Sequence, residues 1–370
     1  MASARATTLA QGFSNKLLLE MYDMSLTDIF VNRDYEGEIN AAGSVLNILN
    51  LARISEKTYT GSNLSVDSLF ENNSQLKIDQ WKSFYWQEKT IDNWQSYIKN
   101  PHSTVVTQKA DERSRNMDLF VFGLYTKVGA GNRVGTDNTT GTVSIDASGN
   151  VTGAGTAFTA GMVGRGFKAA GHTKWYRVAT YSSSSAITIV DDLDDATAAY
   201  SGGVIGGGAT LTVEAVTAIS ISTSNLVQEI AALKLKLDSA EKNGYNAVPD
   251  QDRNLVLPPE FESVVVRANG VVLHVQEVYD DLIQKGMIGE LLGFKLFRSN
   301  RLTGDNTNGY HCIGAHPLWM TFAEKLLEAD IEEVVIGNFG ANYKDLFVYG
   351  AKVADPRRHF AAELFATFSI

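Results

Sequence analysis

Three glycines within eight residues, Gly286, Gly289 and Gly293 of GMIGELLGFKLFRSNRL, are the first place to look for nucleotide chemistry. A Walker-type loop must end in Gly-Lys-Ser/Thr, so that the lysine reaches the outer phosphates and the hydroxyl holds magnesium. A dinucleotide loop needs its glycines between a strand and a helix. Here the order reads helix, glycines, strand, and Gly293 is followed by Phe294, so both templates fail. The three are read as structural turn glycines, with Gly286 ending a helix in a left-handed conformation and Gly293 turning the chain into FKLFRS.

His311, Cys312 and His316 are the soft-ligand cluster of the chain. If YHCIGA is a strand, the adjacent pair points to opposite faces, and no fourth ligand is evident, so no metal site is expected. Cys312 reads as a small buried hydrophobe. Asp191 to Asp195, DDLDD, offers carboxylates to a hard cation but lacks the spacing and central glycine of an EF-hand loop, which leaves a solvated loop as the expectation. Arg357, Arg358 and His359 with Lys352 form a basic group that could touch nucleic acid or pair with a neighbouring subunit's carboxylates. Gly-x-Ser-x-Gly, His-Glu-x-x-His and phosphate-loop motifs are all missing, so neither an enzyme nor a cofactor is expected.

Bulk properties agree. A chain of 370 residues fits two domains, or one domain with a sizeable insertion, and 44% hydrophobic against 20% charged residues is the balance of a folded protein. With Lys+Arg 32 against Asp+Glu 42, the net charge of -10 argues against a surface built to neutralise nucleic-acid phosphates and favours pairing for the Arg357 group. A single cysteine excludes an internal disulfide and suits a reducing cytoplasm. Neither a secretory leader nor a run of about 18 apolar residues is found, so no membrane association is expected.

The elements that would position these residues come from periodicity. Phe13 to Met24 reads as a short amphipathic helix, Val45 to Ile54 as a strand, the polar stretch to Lys77 as a long loop or extended hairpin, and Leu76 to Trp94 as one long strand. Between Ser103 or Thr104 and Gly129, the spacing of Val106, Ala110, Arg113, Met117, Phe120, Leu124 and Val128 predicts a rod of roughly 37 Å. Composition then changes: fifteen of the 32 glycines fall between Gly131 and Gly208, among short strand patterns, which predicts a small all-β module ending in a flexible seam, AAYSGGVIGGGATL. Helical spacing returns at Leu226, Ile230, Leu233 and Leu237. NLVLPP reads as a buried strand whose second proline opens the helix PEFESVVVRA. Further helices are expected over Val275 to Lys285 and Pro317 to Ala329, with strands at FKLFRS, YHCIGA, DLFVYGAKV and AELFATFSI. Trp81, Trp86 and Trp94 with Phe84 and Tyr85 crowd one strand, so their rings are either covered within the monomer or wait for a partner.

This order of parts, carried by NLVLPPEF, GMIGELLGFKLFRSNRL, MTFAEKLLEADIEEV and DLFVYGAKVADP over roughly residues 35–129 and 210–370, resembles the major capsid proteins of tailed bacteriophages, the Hong Kong 97-like fold. The resemblance implies an α+β chain: an N-terminal arm (1–44), a strand, extended loop and return strand (45–95), a peripheral domain with its spine helix (96–129), an inserted β domain (130–209), an axial domain (210–340) and C-terminal strands completing the peripheral domain (341–370). It implies self-assembly into pentamers, hexamers and an icosahedral shell around double-stranded DNA held by weak nonspecific contact, in a virion assembled in the bacterial cytoplasm. A separate scaffolding protein, a portal at one vertex and decoration proteins are the further partners. Inter-subunit contacts are expected at Tyr59, Leu64 and Leu69 in the loop, Trp81 and Trp86 at its base, and Arg113 and Arg115 on the rod. The alternative is a surface or glycan-binding protein acting through the Gly/Ser/Thr-rich module.

Overall fold

The structure, a computed structural model, describes residues 25–34, 45–51, 71–89, 101–193, 198–241, 245–268, 287–333 and 340–369. The expected helices at Phe13 to Met24 and Val275 to Lys285, the loop residues Tyr59, Leu64 and Leu69, and Trp94 and Gly286 lie outside the described residues.

In chain order the first elements are α1 (Thr27–Phe30), β1 (Val45–Leu51), β2 (Glu71–Lys77), β3 (Gln80–Lys89) and α2 (Pro101–Gly123). Then come β4 (Arg133–Val134), β5 (Thr136–Asn138), β6 (Thr142–Ile145), β7 (Asn150–Ala154), β8 (Gly166–Ala169), β9 (Tyr176–Ser183), β10 (Ala186–Asp191), β11 (Ile205–Thr217) and β12 (Ile219–Ile221). The rest are α3 (Leu226–Asp238), β13 (Arg253–Leu257), α4 (Glu260–Arg267), β14 (Met287–Leu291), β15 (Phe294–Arg298), β16 (Gly304–Asp305), β17 (Gly309–Ala315), β18 (Thr321–Glu333), β19 (Gly340–Lys352) and β20 (Ala361–Phe368). They fall into two compact units.

One unit gathers residues 33–106 and 321–356. Its β1 and β2 form an antiparallel ribbon, and β18, β19 and β3 form a three-stranded antiparallel sheet with β19 in the centre. Leu46, Ile48, Leu76, Ile78, Ala323 and Val348 make its core. Gly350 has to be glycine, because a Cβ there would meet the Lys77 carbonyl where β2 crosses β19. Two expectations are corrected here. The single long strand over Leu76 to Trp94 is two, broken at Ile78 and Asp79, so that β2 pairs with β1 and β3 pairs with β19. The helix over Pro317 to Ala329 is one 3-10 turn, Pro317–Trp319, followed by β18, because pairing with β19 along its length outweighs the helix preference of Ala, Leu, Glu and Lys.

The second unit holds residues 18–32, 107–320 and 357–370. A mixed sheet runs β12-β20-β17-β13-β15-β14, with β4 also along β20 and β16 along β17. Leu226, Ile230, Leu233 and Leu237 of α3 and Phe261 and Val264 of α4 are the faces those helices bury. Pro259 caps α4, whose first turn needs no proline amide. The rod α2 ends as an α-helix at Gly123 and tightens into a 3-10 turn, Leu124–Lys127, rather than running on to Gly129. Its 23 residues span about 34 Å. The buried stripe follows the expected spacing through Met117 and then passes to Val121 and Phe122, leaving Phe120 half-buried.

Between β4 and β12 the chain builds an antiparallel β-barrel. Strands β11, β6, β7, β10, β9 and β8 pair in that order, and β8 pairs back onto β11, which closes the ring, with β5 extending the β6 side of β11. Its interior is Val143, Ile145, Val151, Phe167, Val178, Ile189, Leu211 and Val213 with their neighbours. The second half of the expected flexible seam at AAYSGGVIGGGATL is the start of β11, and the barrel runs past residue 209 to Thr217, because Leu211 and Val213 carry the inward alternation that closes it.

Candidate functional site

Within GMIGELLGFKLFRSNRL, Met287 to Arg298 form a β-hairpin, β14 to β15. Leu292 at φ 53 and Gly293 at φ 83 form its two-residue turn, the geometry of a type I′ hairpin. Gly289 lies within β14, at a register shift against β15, and is not a turn residue. No phosphate cradle exists there. His311, Cys312 and His316 diverge: the His311 ring meets Glu363, the Cys312 thiol is buried in the core with its pKa pushed up by that burial, and His316 accepts from the Leu318 amide. Asp191 is paired with Lys174 and bonded to Ser201, and Asp192 with Arg358. The Arg357 group is therefore corrected in one respect: Arg358 is buried and ion-paired within its own chain, with Asp192, not with a neighbour.

What remains at the surface is an aromatic strand. On β3, Trp81 is 59% exposed and Tyr85 66%, while Phe84, Trp86 and Glu88 on the opposite face are half-covered. Alternation dictates this, since i and i+2 share a face. Trp86 stacks on its cross-strand partner Tyr343 at 4.7 Å, and the Phe84 amide donates to Asp345 at 2.9 Å, so the inner face is fixed and the outer rings are presented rigidly. Among the described residues β3 pairs with β19 alone, which makes it a rim strand. On α2, Arg115 is exposed beside Glu112. Arg113, expected as a contact residue, is 2% exposed and packed into the fold, because its position belongs to the Val106-Ala110-Met117 stripe.

Two polar sites hold the second unit together. Asp118, fully buried on α2, accepts from Ser25 Oγ at 2.9 Å, the Thr27 amide at 3.0 Å, Thr27 Oγ1 at 2.7 Å, the Leu26 amide at 3.3 Å and Arg301 at 2.8 Å. Glu363 of β20 accepts from Arg133 Nε at 2.8 Å and Arg165 at 3.0 Å, with His311 Nδ1 at 2.6 Å. Burial alone would raise its carboxyl. The hydrogen bond to His311 and the charges of Arg133 and Arg165 outweigh that and hold it down at about 2. The His311 ring is sandwiched between Tyr125 at 3.8 Å and Phe365 at 4.6 Å, beside a cavity of about 340 Å³.

With this architecture in view, the chain aligns over 91% of its length with 86% of a chain in the capsid of Ralstonia phage GP4, at 12% identity and a TM-score of 0.52. It has the fold of that capsid chain. A chain from Mycobacterium phage Che8 gives the same TM-score, 0.52, at 18% identity, covering 93% of this chain and 91% of that one. No protein-family model matches the chain, and no curated protein matches it in sequence.

Within this fold, sequence reasoning missed Asp118, Arg133, Arg165, Glu214 and Glu363. A signal existed. Glu363 interrupts AAELFAT, Glu214 interrupts TLTVEAV, and Asp118 sits one helical turn from Ser114 on a face that also carries Val121 and Phe122. A lone charge inside an apolar stretch needs a buried partner.

Proposed function

We propose that this chain is the major capsid protein of a tailed bacteriophage, many copies of which assemble as pentamers and hexamers into an icosahedral shell enclosing double-stranded DNA. The observation that carries the reading is the end-to-end likeness to the GP4 capsid chain, which spans both units rather than one shared motif. The exposed rings on β3 suit it, because a shell needs many individually weak contacts whose strength lies in their number.

On this reading the fold is Hong Kong 97-like. Residues 1–44 are an arm, the chain between β1 and β2 is the extended loop, α2 is the spine helix, residues 210–340 supply the axial domain and the barrel is an insertion on the outer face. The chain is structural rather than enzymatic, and it works with a separate scaffolding protein, a portal and decoration proteins. The test is negative-stain microscopy of purified protein supplied with its scaffold. Curved shells or capsomers are expected, and particles that stay small at every protein and scaffold ratio would refute it.

A further inference from the structure

The barrel joins its parent sheet through two chain crossings that lie side by side. β4 leads into β5 and β11 leads into β12, β4 and β12 both pair along β20, and Thr136 and Thr217 are paired residues. Such a tether fixes where the barrel is attached but leaves its orientation to whatever lies between the two bodies. Three buried ion pairs lie there. Arg133 of the sheet meets Glu214 of the barrel at 2.9 Å, Glu363 of the sheet meets Arg165 of the barrel at 3.0 Å, and Arg358 on the sheet side meets Asp192 of the barrel at 3.0 Å. Every one of the six side chains is at most 12% exposed.

In each pair a charge on the sheet faces the opposite charge on the barrel, and Arg133 and Glu363 also pair with each other at 2.8 Å. Backbone amides reinforce the pattern. Gly131 donates to Glu214 at 2.8 Å and Ala130 to Asp192 at 2.6 Å, while His311 and Arg133 hold Glu363 from the sheet side and the Arg165 guanidinium rests 4.9 Å over Phe365. Gly131, at φ 92, lets the Trp175 ring close on the backbone, where a Cβ would come within 2.5 Å.

Buried charges cost desolvation that is offset only when each finds its partner in good geometry. A turn of the barrel would separate these partners and leave buried charges unpaired. We propose that this charge key, rather than the chain connections, holds the barrel in a single orientation on the sheet, and that removing two of its three pairs frees the barrel as a folded body swinging on its tether. The barrel's own closed ring and separate core are what let it stay folded when the key is gone.

The test uses the full chain carrying spin labels at Ser148→Cys in the barrel and Asn308→Cys in the β16–β17 turn, both exposed positions. The neutralised variant is Arg165→Met, Glu363→Gln, Asp192→Asn and Arg358→Met, which removes two pairs whole and leaves Arg133 with Glu214. Its label-to-label distance distribution, narrow in the parent, is expected to broaden. Amides of 129–135 and 163–166 should exchange about tenfold faster, while those of β9 and β10 keep their protection. The charge-preserving Arg165→Lys should stay narrow. If the fourfold variant fails to fold, Arg165→Met alone has to broaden the distribution. A distribution that stays narrow in the folded neutral variant overturns the proposal. So does equal loss of protection in β9, β10 and the junction, because the charges would then be holding the barrel's fold and not its orientation.

Discussion

Acid should loosen this protein through one imidazole. His359 is 4% exposed, stacked on Tyr245 at 3.4 Å, and lies beside Gly129, whose missing Cβ would fall on the ring. Burial pushes its pKa down to about 4, against partial opposition from Asp192 and with help from Arg358 and Arg133. The unfolded chain binds a proton there below about 6.5 and the folded chain does not, so stability is full at neutral pH and falls as pH drops from about 6.5 to about 4. Each pKa unit is worth about 1.36 kcal/mol, so the whole interval amounts to roughly 3 kcal/mol. His359→Phe keeps a flat ring in the stack and removes the titration. Urea unfolding of dispersed subunits, followed by tryptophan fluorescence at steps from pH 7 to pH 4, should show a shallower loss in the variant by about that amount. Taking the difference between the two proteins cancels what His172 and His316, both lowered by burial, and Glu214, raised by it, add to each profile. Parallel profiles for variant and parent would refute the reasoning.

Three shorter predictions rest on other sites. Asp118→Asn turns an acceptor of five hydrogen bonds partly into a donor and leaves Arg301 short of its buried partner. It should cost about 3–5 kcal/mol in urea unfolding and open residues 25–27 to protease. Leu292→Asn places a residue that tolerates φ 53 at the first turn position of the β14–β15 hairpin, so stability should rise by roughly 1 kcal/mol, and an unchanged or lower urea midpoint would count against the turn geometry. Trp81→Ser with Tyr85→Ser removes exposed rings only. The melting temperature should stay within about 1 kcal/mol-equivalent of the parent while the yield of shells in microscopy collapses, and normal shells would rule out β3 as a contact strand.

Much of the second unit can be read directly from apolar spacing. The Leu226-Ile230-Leu233-Leu237 stripe, the strand before Pro258 and the helix that Pro259 opens all lie where local preference and tertiary packing agree. β18 was hidden for the opposite reason. Residues 321–333 include Ala, Leu, Glu and Lys, good helix formers, and only a partner strand some twenty residues away makes them extended. Closure of the barrel was equally invisible, since it depends on β11 reaching β8, and glycine-rich sequence reads as a hinge until its neighbours are known. At the candidate surface, crowded rings on one strand left it open which faced outward, and the structure exposes Trp81 and Tyr85. Arg113 was misplaced, because a charged side chain on a helix is ordinarily assigned to water although its spacing puts it on the buried Val106-Ala110-Met117 stripe.

Among the described residues the strands between β4 and β12 close into a ring, because β11 pairs with β6 and β5 on one side and, over Leu211–Val213, with β8 on the other. Unpaired strand margins zip to one another when molecules are crowded, and a shell would hold its subunits at extreme local density. A body closed in this way exposes less such margin to its copies than an open sheet would. On the proposed reading, growth of the particle is left to rims such as β3, and the barrel brings bulk without adding stickiness.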